Sequence, residues 1–150
     1  MARDGEEPIA ENEIIYRRVP VSQGYYDPHK AELSPQAFAP DKTRDTNGLS
    51  VERAKYKSAE EASRGRPEKA YYVAVYRASD LISSGIAIVP APHKMDGSFS
   101  ASHALLTDLT SARRKDSDTL TRKEFLARSF IRVEGPFLTP PNEGEATPQV

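Results

Sequence analysis

Cysteine is absent from the chain. That excludes a disulfide framework, thiol catalysis, Cys-ligated zinc and iron–sulfur clusters, and it leans towards a reducing compartment. No apolar run approaches the roughly 20 residues of a membrane span. The opening Met1-Ala2-Arg3-Asp4-Gly5-Glu6-Glu7-Pro8 is acidic and lacks the apolar stretch of a secretory signal. The expectation is a cytoplasmic protein without a membrane partner. The phosphate-binding patterns GxxxxGK[ST] and GxGxxG are missing, and so is the GxSxG nucleophile elbow. His29, His93 and His103 are far apart and form no HxH, HxxxH or HExxH spacing, so no metal site and no cofactor are expected. Apolar residues are scarce at 37%, and twelve prolines dilute the pattern further.

What is present suits one domain of 150 residues. The net charge of −1 hides an asymmetry. Residues 1–13 set one arginine against five carboxylates, net −4, and residues 139–150 carry two glutamates, net −2, which leaves +5 on the body. The reading is a disordered acidic tail over 1–13, a folded domain over 14–138 and a disordered tail over 139–150.

Within the body, Ile14–Val19 is β-branched and aromatic and ends at Pro20, which predicts a strand. Residues 20–47 hold too many Pro and Gly breakers for a regular period. Tyr25, Tyr26 and Phe38 are expected to pin this loop, and Ser34-Pro35 to open one helical turn. Leu49-Ser50-Val51-Glu52-Arg53 alternates as a half-buried strand. Ser58-x-x-Glu61 is a capping box that opens a short helix. Ala70–Tyr76 predicts the strongest strand, followed by a short helix over 79–85 ended by Gly85, a strand over 86–89 and another over 102–107. Thr121-x-x-Glu124 reads as a second capping box within a helix over 118–129, and Phe130–Val133 as a last strand. Eight residues between the strands at 70–76 and 86–89 are too few for the usual parallel crossover. The fold class is α+β, a small mixed, mostly antiparallel sheet with two or three short helices. Its core is expected to include Ile15, Val51, Tyr72, Val73, Val75, Ile86, Ile88, Leu105, Phe125 and Leu126.

Candidate site residues come from polar positions inside these strands. Adjacent strand residues point to opposite faces, so one of Arg17 and Arg18 faces inward and must be paired or bind an anion. Ser50 lies between Leu49 and Val51, and His103 opens a strand whose Ala104 and Leu106 face away from it. Ser50 and His103 are expected on one side of the sheet with one of the two arginines, as a partly open polar cleft with Arg53 nearby. His103 and Ser50 are the catalytic candidates, and Arg17, Arg18 and Arg53 the ligand-binding candidates. The basic run Arg113-Arg114-Lys115, with Arg122 and Lys123, could neutralise phosphates, but Asp116 and Asp118 blunt it and no aromatics interleave for base stacking. Nucleic acid is therefore the lesser partner expectation and another protein the main one. The leading expectation for function is a non-catalytic accessory or protein-interaction domain; the alternative is a small enzyme acting on a phosphate-bearing or nucleotide ligand through an Arg/Ser/His cleft.

The order of short motifs Tyr16-Arg17-Arg18-Val19, Ala37-Phe38, Gly48-Leu49-Ser50-Val51, Gly85-Ile86-Ala87-Ile88-Val89-Pro90 and His103-Ala104-Leu105-Leu106 resembles a small uncharacterised bacterial domain family. That resemblance implies a bacterial source and no particular activity. The strand arginine at 17 or 18, with Leu49-Ser50-Val51, is also similar to the ADP-ribosyltransferase group. The late-strand glutamate that this likeness implies would fall on Glu134.

Overall fold

The computed structural model describes residues 3–95 and 98–141. Its strands and helices in chain order are β1 (Ile14–Pro20), β2 (Tyr26–Asp27), β3 (Glu32–Leu33), β4 (Leu49–Arg53), α1 (Ala59–Ala62), β5 (Ala70–Arg77), α2 (Ala78–Ser83), β6 (Ile88–Pro90), β7 (His93–Met95), β8 (Ser98–Ser100), β9 (His103–Leu106), α3 (Ser117–Arg128) and β10 (Arg132–Leu138). Six strands form one sheet in the order β10-β5-β1-β4-β9-β6, and every neighbouring pair is antiparallel. Two small hairpins, β2-β3 and β7-β8, stand apart from it. The chain is α+β. The short link between β5 and β6 makes no hairpin: α2 carries the chain to the far edge, where β6 pairs with β9.

Strand alternation sorts the side chains onto two faces. Ile15, Val19, Leu49, Val51, Ala74, Tyr76, Ala104 and Leu106 point to the main core. There α3 and the 3-10 turn Pro35–Phe38 cover them, with Leu126 and Phe38 buried. Tyr76 stands edge-on to Phe38 with ring centroids 6.2 Å apart, and its hydroxyl donates to the Leu126 carbonyl. The opposite face holds a smaller cluster of Ala59, Val73 and Val75, against which Ile14, Tyr16 and Phe137 pack. Here α1 is the cover. Of the residues expected in the core, Tyr72, Leu105 and Phe125 are half-buried, and the others are buried.

The loop over 20–47 is pinned by its aromatics, as its composition suggests. Phe38 is fully buried, and Tyr26 meets Tyr72 edge-on at 4.8 Å. Ser34 caps the 3-10 turn by accepting from the Gln36 amide. At α1 the Ser58–Glu61 capping box is formed in both directions. The second box is not formed. Helix α3 starts one turn earlier, at Ser117, and Thr121 lies inside it with Oγ1 donating to the Ser117 carbonyl at 3.0 Å.

The ends depart from the expected tails. Residues 3–13 lie against the domain. Gly5 is buried at φ 91°, and an added Cβ would come within 2.3 Å of the Ala101 carbonyl oxygen. Arg53 holds this segment by donating to the Gly5 and Glu7 carbonyls and to the Glu7 and Glu13 carboxylates. Two carboxylates of the acidic stretch expected as a disordered tail, Glu7 and Glu13, are the counter-charge for a buried guanidinium. Thr139, assigned to the C-terminal tail, is buried and ties down the 65–69 loop: its carbonyl accepts from Glu68, its amide donates to Lys69, and its hydroxyl accepts from Gly65. Residues 142–150 of that expected tail lie outside the described residues. Among the described residues no helix is long and apolar enough to cross a membrane.

Candidate functional site

The pairing of β1 with β4 is short, running only through Ile15↔Arg53 and Tyr16↔Glu52. Beyond it the Ser50 carbonyl accepts from the Arg17 guanidinium at 2.9 Å. At this end of the sheet a cleft of about 900 Å3 opens. Its walls are the C-terminal half of β1, the start of β4, the start of β5, and the loops around 22–23, 44–45 and 64–67. Arg17, Arg18, Arg44, Arg64, Arg66 and Lys69 all line it, with Asp45 as the one carboxylate.

Each cation reaches the cleft for a local reason. Arg17 shares the core side with Ile15 and Val19, so its guanidinium is largely desolvated. It donates to the carbonyls of Ser50 and Ala37, and its Nε is buried with no acceptor. Burial pushes this guanidinium down to about 10, with Asp45 acting in the opposite direction. Among the described residues no carboxylate lies within ion-pair distance of it. Arg18 takes the opposite face, donates to the Arg64 carbonyl and lies over the Tyr71 ring at 5.2 Å. Arg66-Pro67-Glu68-Lys69 is a tight turn closed by the Lys69 amide on the Arg66 carbonyl at 3.1 Å. Pro67 sits at its second position and Glu68 at φ 66° at its third, and both ends of the turn line the cleft. Among the described residues, Arg64, Arg66 and Lys69 make no side-chain hydrogen bond or ion pair.

Ser50 also lines the cleft. The register Ser50↔Leu105 and Glu52↔His103 puts Ser50 and His103 on one face, and Tyr16↔Glu52 puts Arg18 there too. His103 Nε2 lies 3.1 Å from Ser50 Oγ, and His103 Nδ1 lies 2.9 Å from the Ala91 carbonyl. A carbonyl only accepts, so Nδ1 carries the proton. In the neutral ring Nε2 is then the acceptor and the Ser50 hydroxyl the donor. The Ala91 amide donates in turn to the His103 carbonyl at 2.9 Å, which locks the two segments together.

Arg53 is not part of this site. It shares the parity of Leu49 and Val51, so it points to the other face from Ser50, and its side chain is 0% exposed. Glu13 binds it at 2.7 Å and Glu7 at 3.1 Å. The Glu13 hydrogen bond chiefly raises its pKa. Its role as a ligand-binding candidate is withdrawn in favour of a structural ion pair. The basic run Arg113–Lys115 is separate from the cleft, and Lys123 is buried within α3. Glu134 pairs with Arg132 at 2.8 Å and lies in a row with Val73 and Arg18, with Val73 between them. It does not line the cleft. His29 is exposed on the β2-β3 hairpin, and the side chain of His93 lies outside the described residues.

Sequence reasoning missed Arg44, Arg64, Arg66 and Lys69. A signal was present in Arg64-Gly65-Arg66-Pro67, two arginines around a glycine and before a proline, which marks an exposed basic turn. Among the described residues no three histidine or acidic side chains converge as a metal-binding set. No family model, curated protein or solved structure matches this chain.

Proposed function

We propose that the protein binds a phosphate-bearing small molecule of nucleotide size in the cleft at the end of its sheet. The observation that carries this reading is the charge of the lining: six cations against one carboxylate, with three of the cations making no side-chain hydrogen bond or ion pair among the described residues. Clustered cations repel one another, and a bound anion offsets that repulsion. Arginine forks match phosphate oxygens in pairs. Arg17 strengthens the case, because its largely desolvated guanidinium has carbonyls for partners and no carboxylate within ion-pair distance. The volume of about 900 Å3 falls within the range of ligand pockets and suits a nucleotide better than a duplex. Of the two functions the sequence left open, this is the phosphate-ligand one, stated as binding alone.

Titration calorimetry with ATP and with inorganic pyrophosphate tests it. Binding is expected for at least one of the two, weakening as salt is raised. The combined variant Arg64→Ala, Arg66→Ala, Lys69→Ala should abolish it, and the combined variant Arg113→Ala, Arg114→Ala, Lys115→Ala should leave it unchanged. Absence of binding to both probes, or equal losses in the two variants, would overturn the reading.

A further inference from the structure

We propose that Ser50 is a nucleophile, activated by His103 as general base, that hydrolyses a phosphate ester held in the basic cleft; this rests on the anion-binding reading of that cleft. Three observations converge on Ser50. Its hydroxyl donates to a histidine nitrogen at 3.1 Å. The other ring nitrogen is bound to a backbone carbonyl at 2.9 Å, which sets both the tautomer and the ring plane. Its own carbonyl is gripped by Arg17 at 2.9 Å, so the serine is tied directly to the cationic lining.

The arrangement has the parts that an activated serine needs: a hydroxyl, a base within hydrogen-bond reach, and a third group that orients the base. The Ala91 carbonyl supplies the third part. Ser50 is also held rigidly, since Leu49 and Val51 on either side of it are buried in the main core. The neighbouring acid on the same face, Glu52, is engaged by Ser102 at 2.7 Å and Lys57 at 2.8 Å. The surrounding charge selects the substrate class. A transferring phosphoryl group carries negative charge on its non-bridging oxygens, and fixed guanidinium groups stabilise that charge.

The step balances without a further reagent except water. The Ser50 hydroxyl proton passes to His103 Nε2 as the Ser50 Oγ–P bond forms and the P–O bond to the leaving alcohol breaks. The alcohol leaves from the face of phosphorus opposite Ser50 Oγ and takes its proton from solvent water, while His103 keeps the serine proton. Water then attacks the phosphoserine from that same open face, losing a proton to solvent, and the Oγ–P bond breaks. His103 Nε2 gives its proton back to the departing Ser50 oxygen, and the phosphate is released.

Diisopropyl fluorophosphate reads the nucleophile directly, because only an activated serine displaces its fluoride readily. Intact-mass and peptide analysis of the full chain should find one adduct, on Ser50. His103→Gln should slow its formation by about 100-fold, the lower end of what a positioned general base contributes. Ser50→Ala, which removes a single atom, should abolish it with an unchanged urea midpoint and so guards against a poorly folded histidine variant. Whichever of ATP and inorganic pyrophosphate binds should protect Ser50 in the wild-type chain. No adduct on Ser50, or an equal rate in a folded His103→Gln, would overturn the nucleophile even where a probe binds. Labelling that a bound probe does not slow would overturn the phosphate-ester substrate, whereas failure of both probes to bind would overturn the cleft reading itself.

Discussion

Arg17 and Arg53 both carry a guanidinium to the core side of the sheet, and their partners separate their roles. Arg53 has two carboxylates and two carbonyls around it, whereas Arg17 has only carbonyls. Breaking a buried pair by removing one partner leaves the other desolvated and uncompensated. Arg53→Ala should therefore destabilise the fold by about 3–5 kcal/mol, read as a lower urea midpoint. Any folded fraction should retain pyrophosphate binding, since Arg53 is outside the cleft. The alternation Leu49–Arg53 already shows in the sequence that Arg53 faces away from Ser50. What the sequence does not show is that Glu7 and Glu13 are its partners, because no periodicity links a strand residue to an irregular segment some 40 positions away.

At the scale of elements, local rules worked where the controlling contact is itself local. Ser58 and Glu61 are three residues apart and satisfy each other's backbone donors, so Ser58→Ala should cost about 1 kcal/mol by urea denaturation. Val75 belongs to β5, an interior strand of the sheet, and is fully buried against α1. Val75→Ala should cost about 1–3 kcal/mol through lost methyl packing and the cavity left behind. An unchanged midpoint would mean that α1 does not cover that face. The same local reasoning failed at Thr121. Asp116 and Ser117 begin the helix a turn earlier, and a threonine in the second turn can satisfy its hydroxyl on the carbonyl four residues back.

For the whole molecule, the N-terminal segment is a strap, and it makes stability depend on pH. Glu7 is held down to about 2, chiefly by its bond to Lys55 and then by Tyr56. Burial works against ionisation of Glu13, yet its bond to Arg53 still lowers its pKa. A carboxylate whose folded pKa lies below its ordinary 4.5 binds fewer protons when folded, so its stabilisation is complete above that value. It should be lost as pH falls from about 4.5 towards 2, seen as a falling urea midpoint. In Glu7→Gln, Glu13→Gln that fall should be shallower. Deleting residues 1–13 should lower the midpoint sharply even at neutral pH, because Arg53 then stays buried without an anion. A disordered tail would leave it unchanged.

Apart from the β2-β3 and β7-β8 hairpins and most of β10, which it left unread, the sequence by itself determined the positions of the sheet strands and the three helices, the α1 cap, the opposite facing of Arg17 and Arg18, and the polar strand positions of Ser50 and His103. All of these follow from periods of two or from contacts spanning three or four residues, which the order of side chains carries directly. Only the tertiary structure decided that β9 pairs with β4 in the register that brings His103 to Ser50. One residue of slip would have put the two on opposite faces. It alone also gathered Arg17, Arg18, Arg44, Arg64, Arg66 and Lys69 around one cleft. Those cations come from one strand, β1, and two loops that meet where the short β1–β4 ladder ends, and charge without periodicity leaves no trace of its neighbours along the chain.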